Sequence, residues 1–237
     1  MNFHRYGRIQ AIGSSLAFAF GVSFLPAQQP DAAAVVKGVD AAVHARADHL
    51  AGYTATEHYA VFKGKDEVHP AAEMTVRTTY RKESGKNYEI LSESGSALVR
   101  KFGLLPLLDH EKQINLPENR EAAWFTSANY EMRLKPGIEQ IDGRDCYALA
   151  IHPRHKAPNL IEGTLWVDAK DFTIVQIVGT SSSSPSLWTS PAHVERHYVT
   201  LSGFGMATRA RAVTDSFVLG QFIVTIDYRN YQMQAQP

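Results

Sequence analysis

The sequence predicts a mainly β (α+β) protein, built as a strongly curled antiparallel sheet with two helical segments over its dry face. Three observations predict it. Short runs that alternate apolar and polar residues recur from Tyr53 to Tyr231, which is the period of strands with one dry and one wet face. Their connections are short and few helices intervene, which favours antiparallel pairing over crossover units. About ten such strands would curl under their own twist and leave a dry face that something must cover.

Length and composition set the outer bounds. The chain has 237 residues, 44% of them hydrophobic and 20% charged, values ordinary for one folded domain with a real core. Formal net charge is zero and no basic patch stands out, so nucleic acid is not an expected partner.

MNFHRYGRIQAIGSSLAFAFGVSFLPAQQP opens the chain. Arg5 and Arg8 precede an apolar stretch from Ile12 to Leu25, and Leu25-Pro26-Ala27 offers a cleavage point. This reads as a secretory signal over residues 1–27, too short and interrupted to span a bilayer comfortably. Residues 28–237 then form a single domain. Its removal leaves two fewer basic than acidic residues, too small an imbalance to imply an electrostatic partner. The only cysteine, Cys146, has no disulfide partner within the chain and stands in an alternating strand, where a buried small hydrophobe is the expected role.

The elements follow in order. Asp31 is placed to cap a helix that runs to about Leu50, with Val36, Val39, Val43, Ala47 and Leu50 on one stripe and Gly52 ending it. YTATEHYAVF is the first strand. In AAEMTVRTTYRK, Met74, Val76 and Tyr80 face one way and Glu73, Thr75, Arg77 and Thr79 the other. A Glu83–Lys86 turn leads to a strand with Tyr88 and Ile90 on one face. Further strands are Tyr130–Leu134, CYALAIHP, GTLWVD and TIVQIVG, the last two joined by a turn at Ala169–Phe172. SSSSPS, from Ser181 to Ser186, reads as a mobile loop. ERHYVTLSG, ATRARAVTDS and QFIVTIDYRNYQ complete the set. In the final strand Phe222, Val224, Ile226 and Tyr228 oppose Thr225, Asp227 and Arg229.

One segment breaks the pattern. In ALVRKFGLLPLLDHEKQ, Leu98, Phe102, Leu105 and Leu108 follow a helical face, widened by Leu104 and Leu107. Arg100, Lys101, Asp109, Glu111 and Lys112 supply the polar side, and Pro106 predicts a kink or break near Gly103–Pro106. A second short helical stretch is expected from Glu118 to Phe125. The oily segment is either permanent core over the sheet or a lid with a weak point at its glycine and proline. Each methylene of an acyl chain buried beneath such a lid would contribute about 0.8 kcal/mol.

Ile141–Thr180 resembles the periplasmic lipoprotein-carrier superfamily, the LolA/LolB-like proteins and their relatives of the lipid-sensing RseB type. The resemblance rests on Gly143 before the strand containing Tyr147-Ala148-Leu149, on Pro153 ending it, and on Gly163-Thr164-Leu165-Trp166-Val167-Asp168. A polar turn and a strand with Ile174, Val175 and Ile177 follow, and the closing strand ends in Asp227-Tyr228-Arg229-Asn230-Tyr231. It implies a half-barrel whose concave apolar face is plugged by helices, with Leu98–Leu108 as the plug, and a cavity that takes acyl chains. On that footing Met74, Val76, Tyr80, Tyr88, Ile90 and Trp166 are candidate cavity residues. So are Phe222, Val224 and Ile226, with Leu98, Phe102, Leu105 and Leu108 on the plug. The chain lacks the N-terminal cysteine of a lipid-anchored acceptor.

Catalytic signatures are missing. His193 and His197, four apart on a strand, would lie about 13 Å apart, too far for one metal ion. The pair His152 and His155 flanks Pro-Arg, and His110-Glu111 has no second histidine three residues on. G-x-S-x-G is absent, Ser181–Ser184 has no nearby base, and Asp145 and Glu162 have no partner that the sequence fixes. The export signal, the dry-faced sheet, the kinked oily segment and the family resemblance together give the expected function: a soluble periplasmic carrier or binding protein for acyl chains of lipids or lipoproteins. It needs no cofactor and no metal, and it exchanges cargo with a membrane-protein donor or acceptor. The alternatives are an RseB-like sensor module and a hydrolase without a recognisable motif.

Overall fold

The computed structural model describes residue 1 and residues 31–184, 189–216 and 220–235. The expected signal segment and part of the expected SSSSPS loop lie outside these residues. Ser181 itself closes a strand and is buried.

Helix α1 (Ala32–His49) begins as the sequence predicts: the Asp31 side chain accepts from the Ala33 N–H at 3.2 Å. Val35 and Val39 are its buried residues. The helix does not wait for Gly52 to end. Leu50 turns to extended backbone and opens β1 (Leu50–Lys63), so helix and strand join with no linker. Gly38 lets the Phe172 ring close on the helix, since a Cβ there would stand 2.6 Å from ring atoms.

The other strands are β2 (Ala72–Arg81), β3 (Gly85–Gly95), β4 (Tyr130–Leu134), β5 (Glu139–Ile141), β6 (Arg144–Pro153), β7 (Ile161–Asp168), β8 (Ile174–Ser181), β9 (His193–Leu201), β10 (Phe204–Ser216) and β11 (Gly220–Ala235). All pair antiparallel in one sheet, ordered β3-β2-β1-β11-β10-β9-β8-β7-β6-β4, with β5 on β6. First strand therefore lies beside last, and the sheet is a half-barrel, not closed into a barrel.

Register shows how the interior is made. Met74, Tyr59, Ile226, Ala210, Arg196, Ile177, Leu165, Leu149 and, at the rim, Leu134 lie opposite one another from strand to strand. They belong to one face. On the β4–β8 side that face meets Val35 and Val39 of α1. On the β1–β2 and β10–β11 side it meets Leu104 and Leu108. Both helical segments thus cover the same face at its two ends.

The leucine-rich segment is α2 (Ala97–Val99), a π-helical turn at Arg100–Leu104 and α3 (Leu105–Ile114). Its break is the one Pro106 predicts, in a specific form. The Leu105 N–H reaches back to the Arg100 carbonyl, and Pro106 stands in the first turn of α3, where its missing donor costs little. The stretch expected at Glu118–Phe125 is a single 3₁₀ turn, Arg120–Ala123. Among the described residues no helix is long and apolar enough to cross a membrane.

Candidate functional site

The candidate site is the covered interior at the plug end. Met74, Val76, Tyr80, Leu108 and Ile226 are buried there, with Tyr88, Phe222 and Val224 half-buried beside them. Their strands present them by simple alternation, as in β2, where every second residue from Ala72 to Tyr80 is buried.

Five candidates lie elsewhere. Leu98, Phe102 and Leu105 are 69%, 70% and 38% exposed. They form a ridge on the outer side of the plug, while Leu104 and Leu108 point inward. Spacing put Leu98, Phe102, Leu105 and Leu108 on one covering face, but of these only Leu108 is buried, so the actual phase is different. Polar ties and the π-turn set it: the Arg100 guanidinium donates to the Gly95 carbonyl at 2.6 Å and pairs with Glu93 at 3.4 Å. Ile90, at the bulged edge of β3, is 45% exposed. Trp166 points to the outer face, between inward Leu165 and Val167, and its Nε1–H donates to Glu139 Oε2 at 2.8 Å.

Amid this apolar surface runs a belt of polar groups that hydrophobic patterning missed. Glu111, assigned to the plug's wet side by spacing, follows Leu104 and Leu108 on the inner ridge. It pairs with Lys86 of β3 at 3.1 Å, with only 17% and 11% of the two side chains exposed. Burial raises the Glu111 carboxyl, but Lys86 and then Arg196 outweigh it and hold it below its ordinary range. Burial likewise works against the Lys86 ammonium. The acidic groups around it, Tyr53 first and then Glu111, Tyr88 and Glu57, hold its pKa well above the usual value. Glu57 is 1% exposed and accepts from the Tyr59 hydroxyl at 2.5 Å. Burial, then Glu57, pushes the Tyr59 hydroxyl well up. Arg196 of β9 reaches the same interior, where Tyr198 chiefly raises its pKa against the pull of burial.

A signal for these residues does exist in the sequence. Glu57 shares its phase with Tyr53, Ala55, Tyr59 and Val61, Lys86 with Tyr88, and Arg196 with Val194 and Tyr198. A charge on the dry phase of a strand asks for a partner inside.

Other groups are accounted for by structure. Cys146 is buried, and burial pushes its thiol up to about 11, far from a reactive thiolate. His197 sits on the outer face, with Nδ1 2.9 Å from Asp142 Oδ2 and Nε2 2.8 Å from Glu195 Oε1. Burial opposes its charged form, but the hydrogen bonds to Asp142 and Glu195 win and raise its pKa. The folded state therefore binds this proton more tightly than the unfolded one. The stability gap between wild type and His197→Gln should be full below about pH 6.5 and close as pH rises through the raised folded value, as thermal melts across pH 5–9 would show. Two surface hollows lie away from the plug. One, of about 580 Å³, lies between α1 and β4 beside Val36, Met132 and Leu134, and one of about 440 Å³ beside Arg144, Tyr198 and Thr200.

No family model and no curated protein matches the chain. Solved structures with a similar course of the chain do exist. A LolA superfamily protein from Nitrosomonas europaea is 12% identical, with 88% of this chain and 96% of that chain covered and a TM-score of 0.43. A DUF1329 family protein from Desulfovibrio piger is 15% identical, with 84% and 93% covered and a TM-score of 0.41. A domain described as an outer membrane lipoprotein-sorting protein domain, from Vibrio parahaemolyticus, is 11% identical, with 86% and 92% covered and a TM-score of 0.45.

Proposed function

We propose that this protein is an exported, periplasmic carrier that binds acyl chains of lipids or lipoproteins on the concave face of its half-barrel, beneath the plug. The observation that carries the reading is the unequal fastening of the two covers. Helix α1 runs straight into β1 and is fixed by the chain itself. The plug is a separate insertion between β3 and β4, bent by a π-turn, with Leu104 and Leu108 as its buried leucines.

Magnitudes favour exchange. On the plug, two buried leucines contribute about 3–6 kcal/mol, and breaking its Lys86–Glu111 pair costs about 3 kcal/mol more. A dozen methylenes laid on Met74, Val76 and Ile226 would gain about 10 kcal/mol before ordering costs. An acyl chain can therefore compete for the floor that the plug occupies. The exposed Leu98–Phe102–Leu105 ridge is the part of the plug that a membrane-protein donor or acceptor can touch.

The test is ligand content and uptake. Protein purified from its own compartment should carry acylated species in native mass spectrometry, and the delipidated protein should take up a fluorescent acyl probe. Leu104→Ala, which loosens the plug, should speed that uptake severalfold. A protein that arrives empty and ignores the probe would sink the reading.

A further inference from the structure

Among the buried polar atoms that have no hydrogen-bond partner in the described residues, three stand on adjacent strands of the concave face: Glu57 Oε1, Thr78 Oγ1 and Tyr88 Oη. They come from adjacent strands in register. Thr78 lies opposite Tyr88, and Glu57 opposite Val76, two residues from Thr78 on the same face. Glu57 and Thr78 are 1% and 0% exposed. Arg196 Nε, on the far side of the same belt, is buried and unpartnered too. Buried polar groups are nearly always satisfied, so such a cluster calls for an explanation.

The neighbours of the cluster are already engaged. Glu57 Oε2 holds the Tyr59 hydroxyl, and Lys86 and Glu111 hold each other. What stays open is an acceptor at Glu57 Oε1, hydroxyls at Thr78 and Tyr88, and a guanidinium N–H at Arg196. To one side lies the apolar floor of Met74, Val76 and Ile226.

We infer that this cluster is a headgroup subsite, which receives a neutral group carrying both a donor and an acceptor, such as an amide, while the attached acyl chain lies on the apolar floor. The inference rests on the carrier reading and narrows its ligand. An amide N–H meets the free Glu57 oxygen, and its carbonyl accepts from Tyr88 or Arg196. A free carboxylate head offers no donor, and would set its lone pairs against those of Glu57. Selectivity therefore comes from leaving a polar cluster unpaired for the wrong head.

Calorimetric titration of the delipidated full mature chain with lauroyl ethanolamide and with laurate separates the possibilities, because the two probes share one acyl chain. The amide should bind at least tenfold more tightly. Tyr88→Phe removes only a hydroxyl that has no partner, so it should fold with no loss of Tm and should narrow the preference severalfold. Glu57→Gln, which keeps an acceptor for Tyr59, should narrow it as well. Equal affinities for the two probes, or a preference untouched by both substitutions, overturns the subsite and leaves the carrier reading standing. A chamber that only holds solvent gives that result. Binding of neither probe overturns both.

Discussion

Leu104→Asp should cost about 3–5 kcal/mol, a large part of a typical domain's stability. Leu104 is 1% exposed and packs into the cluster that includes Tyr59, Met74, Val76 and Ile226. An unpaired carboxylate there must either stay buried or push the plug off the sheet, and the cheaper outcome sets the loss. Staying buried is the cheaper, because releasing the plug gives up two leucines, about 3–6 kcal/mol, and breaks the Lys86–Glu111 pair as well. For a chain of this size Tm should fall on the order of 10 °C. Its neighbour is the control. Leu105→Asp places the charge on the exposed ridge and should shift stability by less than about 1 kcal/mol. Differential scanning fluorimetry on the two variants decides it. A larger loss at Leu105 would mean that the plug is turned the other way round, and equal losses that neither side of it is preferentially buried.

Glu111→Ala should cost about 3 kcal/mol, because it strands the Lys86 ammonium in a site only 11% open to solvent. Adding Lys86→Met should restore most of the loss, since the long apolar side chain fills the space without a charge. Chemical denaturation of the single and double variants measures this. The pH dependence has a definite sign. The Glu111 pKa is lowered in the folded state, so its contribution is complete above the unfolded carboxyl's value, about 4.3, and is lost as pH falls through the lowered folded value. If the double variant is no more stable than Glu111→Ala, the two groups do not form an energetic pair.

The frame of the molecule was legible because it follows from period-two alternation. β2, β6, β7, β8 and β11 stand where their runs predict, and Asp31 caps the first helix. The order of strands was not legible, because pairing of β1 with β11 joins residues at opposite ends of the chain and leaves no local mark. The face of the plug failed for another reason. Spacing put Leu98, Phe102, Leu105 and Leu108 opposite a polar side that included Glu111, but the π-turn at Arg100–Leu104 shifts the phase and turns Leu104, Leu108 and Glu111 inward. Trp166 was assigned to the interior on the footing of the family resemblance, against the phase set by Leu165 and Val167. The polar belt stayed hidden because Glu57, Lys86 and Arg196 look like breaks in three unrelated strands until the register puts all three on one face of the sheet.

A half-barrel, unlike a closed one, has two raw rims. In the described sheet these are β3 at one end and β4, with the three-residue β5 beside it, at the other. Each is defended. The β3 rim bears Glu89 and Glu93 and is broken by a bulge, while β4 is only five residues long and carries Glu131 and Arg133. Charged, kinked or short margins make poor templates for a neighbour's backbone. The protein can thus leave its sheet unclosed without inviting its own copies to stack margin to margin into fibres.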